Sequence, residues 1–544
     1  MSSIVCSNLS FAWPGDSPLF AGLSFAVGDG RTGLVAPNGA GKSVLLRLIA
    51  GELPPAAGSI TVDGTLGYLP QSLPFAGDAT VADVLGAAAA IEALEALAGG
   101  EFGDAVFAAI GDDWDIEARA LAQFDRLRLG HITLDRRVDS LSGGEIVAIG
   151  LAGQLLRRPR VLLLDEPTNN LDADARRRLY AALDEFTGCL LLVSHDRSLL
   201  DRMDRIAELR DGEIQLYGGG FTAYTEAVED AQRTAAAKVS SAEQQLRRER
   251  RDRQLARERA ARRSSTAARN SKDAGLPKIV SGAMKRRAQE SAGRIDGVNA
   301  ARVDDAASRV AEAERMLRDD DALTLDLPDI EVPAGRNLLT CSGIRAVDGG
   351  RVLFDDVDLA IRGPERIALT GRNGAGKSTL LRISAGAVTP ESGTVQRAHG
   401  RVAYLSQRLD LLDPQRTVAE SLAVSAPGLT TTRRMHLLAQ FLFRGDRVDL
   451  PIGVLSGGER LRATLACVLH AEPAPHLLLL DEPTNNLDLR SIGQLQSALG
   501  AYRGALLVVS HDERFLESVD IRRWLRLSDG RLDESAERRP PETR

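Results

Sequence analysis

The stretch VLLLDEPTNNLD, Val161–Asp172, returns almost letter for letter as LLLLDEPTNNLD, Leu477–Asp488. Each copy opens on a short apolar run of strand length, Val161–Leu164 or Leu477–Leu480. Such a run, with no polar alternation, predicts a parallel strand buried on both faces. Each strand ends in Asp-Glu. There the Asp can bind Mg²⁺, and the Glu is placed to polarise an attacking water. Phosphoryl transfer relies mainly on positioning and charge neutralisation, which such a pair supplies. A lone Asp-Glu would mean only two solvated acids at a strand end, so its companions decide the reading.

The companions repeat in the same order. APNGAGKS, Ala36–Ser43, matches GRNGAGKS, Gly371–Ser378; GYLPQ, Gly67–Gln71, matches AYLSQ, Ala403–Gln407. LSGGE occurs at Leu141–Glu145 and Leu455–Glu459, and LLLVSHDRSLL, Leu190–Leu200, matches LLVVSHDERFL, Leu506–Leu516. Asp165 precedes His195 by 30 residues, as Asp481 precedes His511. Five elements in register predict two homologous domains, 1–225 and 336–544. GRNGAGKS fits the P-loop pattern between a strand, Arg366–Thr370, and a helix from Ser378. Its glycines let backbone N–H groups wrap phosphates, and the helix N-terminus favours the negative charge. Lys377 is placed to reach the outer phosphates and Ser378 to hold Mg²⁺. The first copy departs, with Ala36 in place of Gly and Val44 in place of Thr379. Pro37 pushes Ala36 toward an extended conformation that Ala tolerates, so this loop should also close. LSGGE reads as a Ser-Gly-Gly turn opening a helix, a second N–H-rich anion site.

Composition bounds the class. The chain has 544 residues with net charge −7, 44% hydrophobic and 26% charged, which predicts several globular domains with real cores. Cys6, Cys189, Cys341 and Cys467 form no CxxC pair and read as small buried apolar residues of a reducing cytoplasm. MSSIVCSNLSFAWPGD has no signal-peptide pattern, and no apolar stretch approaches the roughly 20 residues of a spanning helix. A soluble chain is expected. The net charge hides an asymmetry. Residues 231–300 hold 18 Lys or Arg against 7 Asp or Glu, net +11, which leaves −18 on the rest. RRERRDRQLARERAARR, Arg247–Arg263, contains no Gly or Pro and should be helical. A helix over about 223–268, a break at Gly275-Leu276-Pro277, and a second run from Met284 to Asp321 predict a basic helical hairpin, within a linker spanning 226–335. Four of the six lysines, Lys238, Lys272, Lys278 and Lys285, lie in it; Lys42 and Lys377 are the other two.

Taken together, P-loop, Gln loop, LSGGE, Asp-Glu, NNLD and the SHD histidine resemble the nucleotide-binding domain of ABC ATPases. The resemblance implies an α/β fold with two tandem ABC-type P-loop ATPase domains, ATP and Mg²⁺ as ligands, and a head-to-tail sandwich within one monomer. Each ATP would then be held by one P-loop and the opposite signature. Site one would combine Trp13 against adenine, Asn38, Gly39, Gly41, Lys42, Ser43, Gln71, Asp165, Glu166 and His195 with Ser456, Gly457 and Gly458. Site two would combine Gly371, Asn373, Gly374, Gly376, Lys377, Ser378, Thr379, Gln407, Asp481, Glu482 and His511 with Ser142, Gly143 and Gly144. Glu166, Glu482, His195 and His511 would be the catalytic groups. Ser43, Gln71 and Asp165, or Ser378, Gln407 and Asp481, would hold the metal. Val347 stands where Trp13 stands in the first half, so the second adenine site differs.

Two ABC domains, no membrane span and a basic helical linker together resemble the ABC-F family over nearly the whole chain. That resemblance implies binding at the ribosomal exit site in the ATP state, with the linker reaching rRNA and tRNA. The role is then ribosome protection against antibiotics, as in the actinobacterial resistance type, or rescue of stalled ribosomes as a translation factor. The 22 residues by which Gln71–Ser142 exceeds Gln407–Ser456, including the Ala-rich Val84–Gly99, are too few for the long arm of some members. The terminal DESAERRPPETR carries no coiled coil, which disfavours the DNA-associated branch. An ATPase subunit of a membrane exporter and a DNA-associated ABC ATPase remain as alternatives.

Overall fold

The computed structural model describes residues 2–15, 17–73, 79–169, 171–273, 278–316, 327–328, 332–398, 401–485 and 487–535. Residues 1–221 with 321–544 form one compact unit and 222–320 another.

Within the first unit the same architecture is built twice. In the first half a six-stranded sheet runs in the order Leu66–Leu69, Val161–Asp165, Cys189–Val193, Gly30–Val35, Arg205–Arg210, Glu213–Gly218. All neighbours are parallel except the last pair. The second half repeats it as Arg401–Leu405, Pro475–Asp481, Ala505–Val509, Arg366–Thr370, Arg523–Ser528, Arg531–Ser535. Leu162–Leu164 and Leu477–Leu480 are fully buried, as their unbroken apolar runs require. Each half adds a three-stranded antiparallel sheet, centred on Ser2–Phe11 or Asn337–Asp348.

Register decides what meets at the ends of the parallel strands. Asp165 pairs with Val193, and Leu34 pairs with both Val193 and Ala207. The P-loop, the Asp-Glu pair and His195 therefore leave the sheet side by side, at the carboxyl ends where open α/β sheets bind ligands. Asp481 pairs with Val509 in the same way.

Between GYLPQ and LSGGE the first half forms helices at Val81–Leu85, Ala88–Ala98, Asp104–Ile110 and Ile116–Arg126, and the second half forms Val418–Ser425 and Thr431–Gln440. All four cysteines are buried and free. The second unit contains helices Phe221–Asp273 and Lys278–Met316, the first of 53 residues and the second of 39. The first helix extends beyond the span expected, at about 80 Å for 1.5 Å per residue. The expected break at Gly275-Leu276-Pro277 and the end near Asp321 lie outside the described residues. Arg253 and Arg257 of the first helix both meet Asp296 of the second, at 3.2 and 2.7 Å, so the two runs do pair. No helix among the described residues is long and apolar enough to cross a membrane.

Candidate functional site

The two P-loops open their helices and hold their lysines alike despite their different first residues. Gly41 and Gly376 sit at the helix N-termini with φ of 93° and 98°, a left-handed conformation that costs glycine little. Lys42 Nζ donates to the carbonyls of Ala36 and Pro37 at 2.8 and 3.4 Å. Lys377 Nζ donates to those of Gly371 and Arg372 at 2.7 and 3.0 Å. Gly371 itself has φ 149°, and a Cβ built on it would lie 2.3 Å from the Leu527 carbonyl oxygen. Ala36 adopts no positive φ, so the first loop turns by another backbone route. Gly371→Ala is expected to cost about 1–3 kcal/mol through overpacking against backbone, while Ala36→Gly stays within about 1 kcal/mol. Thermal unfolding of both variants checks this.

Behind each loop lies a buried acidic cluster. Ser378 Oγ donates to Asp481 Oδ1 at 3.0 Å, and Tyr404 Oη to Asp481 Oδ2 at 3.0 Å. In the first half burial raises Asp165, with the Ser43 hydroxyl and then Lys42 opposing. Glu166 and Glu482 hold left-handed backbones, φ 49° and 45°. For residues other than glycine this is strain of the kind concentrated at working sites. His195 Nε2 lies 3.1 Å from Glu166 Oε1, and His511 Nε2 lies 3.3 Å from Glu482 Oε1. The first contact lacks in-line hydrogen-bond geometry. Glu166 Oε1, Asp165 Oδ1 and His195 Nδ1 are buried without a hydrogen-bond partner. Such orphaned atoms are costly unless a ligand completes them. A serine hydroxyl, a carboxylate and a buried lysine beside a glycine loop fit Mg²⁺ with a polyphosphate.

Burial pushes both glutamates up to about 7, against the opposing pull of Lys42 or Lys377. Burial lowers His195 to about 3 and His511 to about 4, so both imidazoles are neutral at pH 7. A raised carboxyl pKa means that the folded protein holds protons the unfolded chain releases. Stability from this source is greatest below about pH 4.5 and falls as pH rises toward 7. Without nucleotide, Glu166→Gln, Glu482→Gln should therefore be more stable than the parent at pH 8 by several kcal/mol, about 3 kcal/mol for each glutamate. At pH 4 the advantage should vanish. Denaturant unfolding at the two pH values measures it.

The two sites interlock across the domain boundary. Asp488, from the second NNLD, accepts from the Asn38 backbone N–H at 2.9 Å while it caps its own helix through Ser491 N–H at 2.8 Å. Asp172, its counterpart, acts electrostatically on Lys377 and His511. Arg176 Nη1 donates to the His511 carbonyl at 3.4 Å, and Arg197 Nη1 to Gln496 Oε1 at 3.3 Å.

Ser142 and Ser456 cap their helices through Glu145 N–H and Glu459 N–H. Their hydroxyls also donate to the Glu145 and Glu459 carboxylates at 2.7 Å. Gly144 and Gly458 pack closely on Ala175 and Ser491. Gln71 and Gln407 are exposed beyond their strands. Trp13 is 42% exposed and stands edge-on to Phe11. Tyr404, Asp172, Asp488 and Arg176 are functional neighbours that motif reading passes over. The Tyr of GYLPQ and AYLSQ and the last Asp of NNLD are signals for three of them, each spelled twice in the chain.

The fold and the paired P-loops define a tandem ABC ATPase. The family described as ABC transporter matches residues 20–169 and 354–485. The tylosin resistance ATP-binding protein TlrC of Streptomyces fradiae is 35% identical, over 92% of this chain and 93% of its own. The energy-dependent translational throttle protein EttA of Mycobacterium tuberculosis is 32% identical, over 91% and 86%. The probable ATP-binding protein YheS of Escherichia coli is 33% identical, over 90% and 73%. The chain belongs to the ABC-F family of ABC ATPases, whose domains bind and hydrolyse ATP. Among solved structures, archaeal ABCE1 in complex with the ribosomal stalk protein aP1 superposes with a TM-score of 0.57 at 20% identity, over 96% of this chain and 89% of that one. That likeness is one of fold.

Proposed function

We propose that this protein is a cytoplasmic ATPase that binds the ribosome at its exit-site region when ATP closes the two domains together. The reading rests above all on two relatives aligned over nearly the whole chain, one named for tylosin resistance and one for throttling translation. The +11 helical linker on a −18 remainder supports it, because such a linker can neutralise phosphates of rRNA and tRNA while the body discourages indiscriminate RNA binding. Neither relative favours an exporter subunit. Ribosome protection against an antibiotic is the preferred role. A translation-factor role has the throttle relative in its favour, and drug susceptibility of a sensitive host expressing the protein separates the two.

In the mechanism each lysine leaves its loop carbonyls and donates to the outer phosphates. Ser43 with Asp165, and Ser378 with Asp481, would hold Mg²⁺, joined by Gln71 and Gln407; the ion supplies neutralisation of phosphate charge. Glu166 and Glu482 accept a proton from the attacking water. His195 and His511, held neutral by burial, orient the reacting groups without adding charge. Trp13 packs on adenine, and Ser456 and Ser142 with their glycines complete the opposite sites. Hydrolysis reopens the domains and releases the ribosome. Co-sedimentation of the Glu166→Gln, Glu482→Gln protein with 70S particles tests the reading. ATP-dependent pelleting is expected, and a protein that binds ATP but never pellets would sink it.

A further inference from the structure

The internal repeat makes every site residue comparable with its counterpart, and one position breaks the symmetry where the domains meet. Eleven residues after Asp165 stands Arg176; eleven after Asp481 stands Ile492. Ile492 is buried in the core of its own domain. Arg176 instead reaches outward, its side chain only 14% exposed. Its Nε donates to the Leu171 carbonyl at 3.3 Å, which fixes the stem. Its Nη1 then serves both sites. It meets Asp196 Oδ2 at 3.2 Å and the His511 carbonyl at 3.4 Å.

Asp196 follows His195 in site one, and His511 belongs to site two. Asp196 is itself rigid, because Tyr180 Oη donates to Oδ2 at 2.5 Å and Oδ1 accepts from the N–H groups of Ser198 and Leu199. Gln496 occupies the position of Tyr180 in the repeat, so this anchor too is missing from the second domain. A guanidinium suits this position, because its planar fork holds several acceptors at once and stays charged when partly buried.

We propose that Arg176 is a positioning residue that makes the two ATP sites unequal, fixing the histidine loop of site two from the anchored Asp196 of site one. Ile492 has no charge or donor with which to do the same for site one, whose histidine loop instead meets the second domain through Arg197 and the neutral Gln496. The proposal rests on the reading of Glu482 and His511 as the working pair of site two. The His511 backbone N lies 3.4 Å from Glu482 Oε2, so a shift of that loop changes the geometry around the glutamate as well.

The test compares Arg176→Ile in two backgrounds. In Glu166→Gln protein site two carries the remaining turnover, and kcat should fall about tenfold with KM for ATP within about twofold. In Glu482→Gln protein site one carries it, and the same substitution should change kcat by no more than about twofold. Arg176→Lys, which keeps charge and one donor, should recover part of the loss; Arg176→Gln should not. Equal losses in both backgrounds, or identical behaviour of the Lys and Gln variants, would overturn the proposal. The Lys and Gln pair decides the matter should Arg176→Ile fail to fold. Wild-type turnover in the Glu166→Gln, Glu482→Gln protein would instead mean that the site reading itself is wrong. Silence there, with Arg176→Ile sparing both single variants, would remove Arg176 alone.

Discussion

Glu166→Gln, Glu482→Gln is expected to lower ATP turnover by roughly 10²–10⁴-fold, the range for loss of a positioned general base. ATP binding should survive, since the lysines, hydroxyls and P-loop backbone remain and a carboxamide keeps the carboxylate's shape. The reason for so large an effect is the setting of the two carboxyls. Burial raises them to about 7, which poises them to take a proton near neutral pH. The chain also holds them on left-handed backbone, φ 49° and 45°, with the carboxylates 3.1 Å from His195 and 3.3 Å from His511. A carboxamide in that place cannot accept the proton. Trapped with ATP, the domains should stay closed and the protein should accumulate on 70S particles, whereas the parent cycles off. Turnover within tenfold of the parent would mean that the proton goes elsewhere. Full loss of turnover without ribosome accumulation would keep the ATPase chemistry and discard the proposed partner.

Much of this site is legible because its residues are spelled twice. The strand before Asp165 and Asp481 is readable from apolar runs alone, and the helix openings from Ser-Gly-Gly. The conformation of Glu166 is not, since nothing in DEPTNNLD announces a left-handed glutamate. Nor is the close approach of the Leu527 carbonyl to Gly371, which no motif announces, whereas the extended backbone at Ala36 is readable from Pro37. The cross-domain contacts are hidden for a simpler reason. Arg176 meets a carbonyl 335 residues away, and Asn38 meets a carboxylate 450 residues away. Periodicity and motif spacing carry no information at that range. A comparison of the two repeats position by position does, and it isolates Arg176 against Ile492.

Charge that builds the linker hairpin is separable from charge left to act on a partner. Arg257 grips Asp296 with two hydrogen bonds, 2.7 and 2.9 Å, and Arg253 adds a third at 3.2 Å. Arg257 first and Arg253 second hold Asp296 well below the usual carboxylate range. These two arginines therefore serve the pairing of the helices. Arg248, Arg250, Arg251 and Arg259 are exposed on the same helix. Changing those four to Gln should leave ATP turnover and helix content unchanged, because no ATP-site residue lies in this unit. It should weaken ATP-dependent ribosome binding by roughly 10²-fold near 0.1 M salt, with the log–log salt slope falling by about 0.7–0.9 for each phosphate no longer neutralised. Arg253→Gln, Arg257→Gln should act the other way, loosening the hairpin to proteolysis before it alters the salt slope. Binding of the fourfold variant that follows the parent at every salt concentration would show that the linker's charge is not what meets the RNA. The ribosome would then have to be held by the −18 body, against its own electrostatic repulsion.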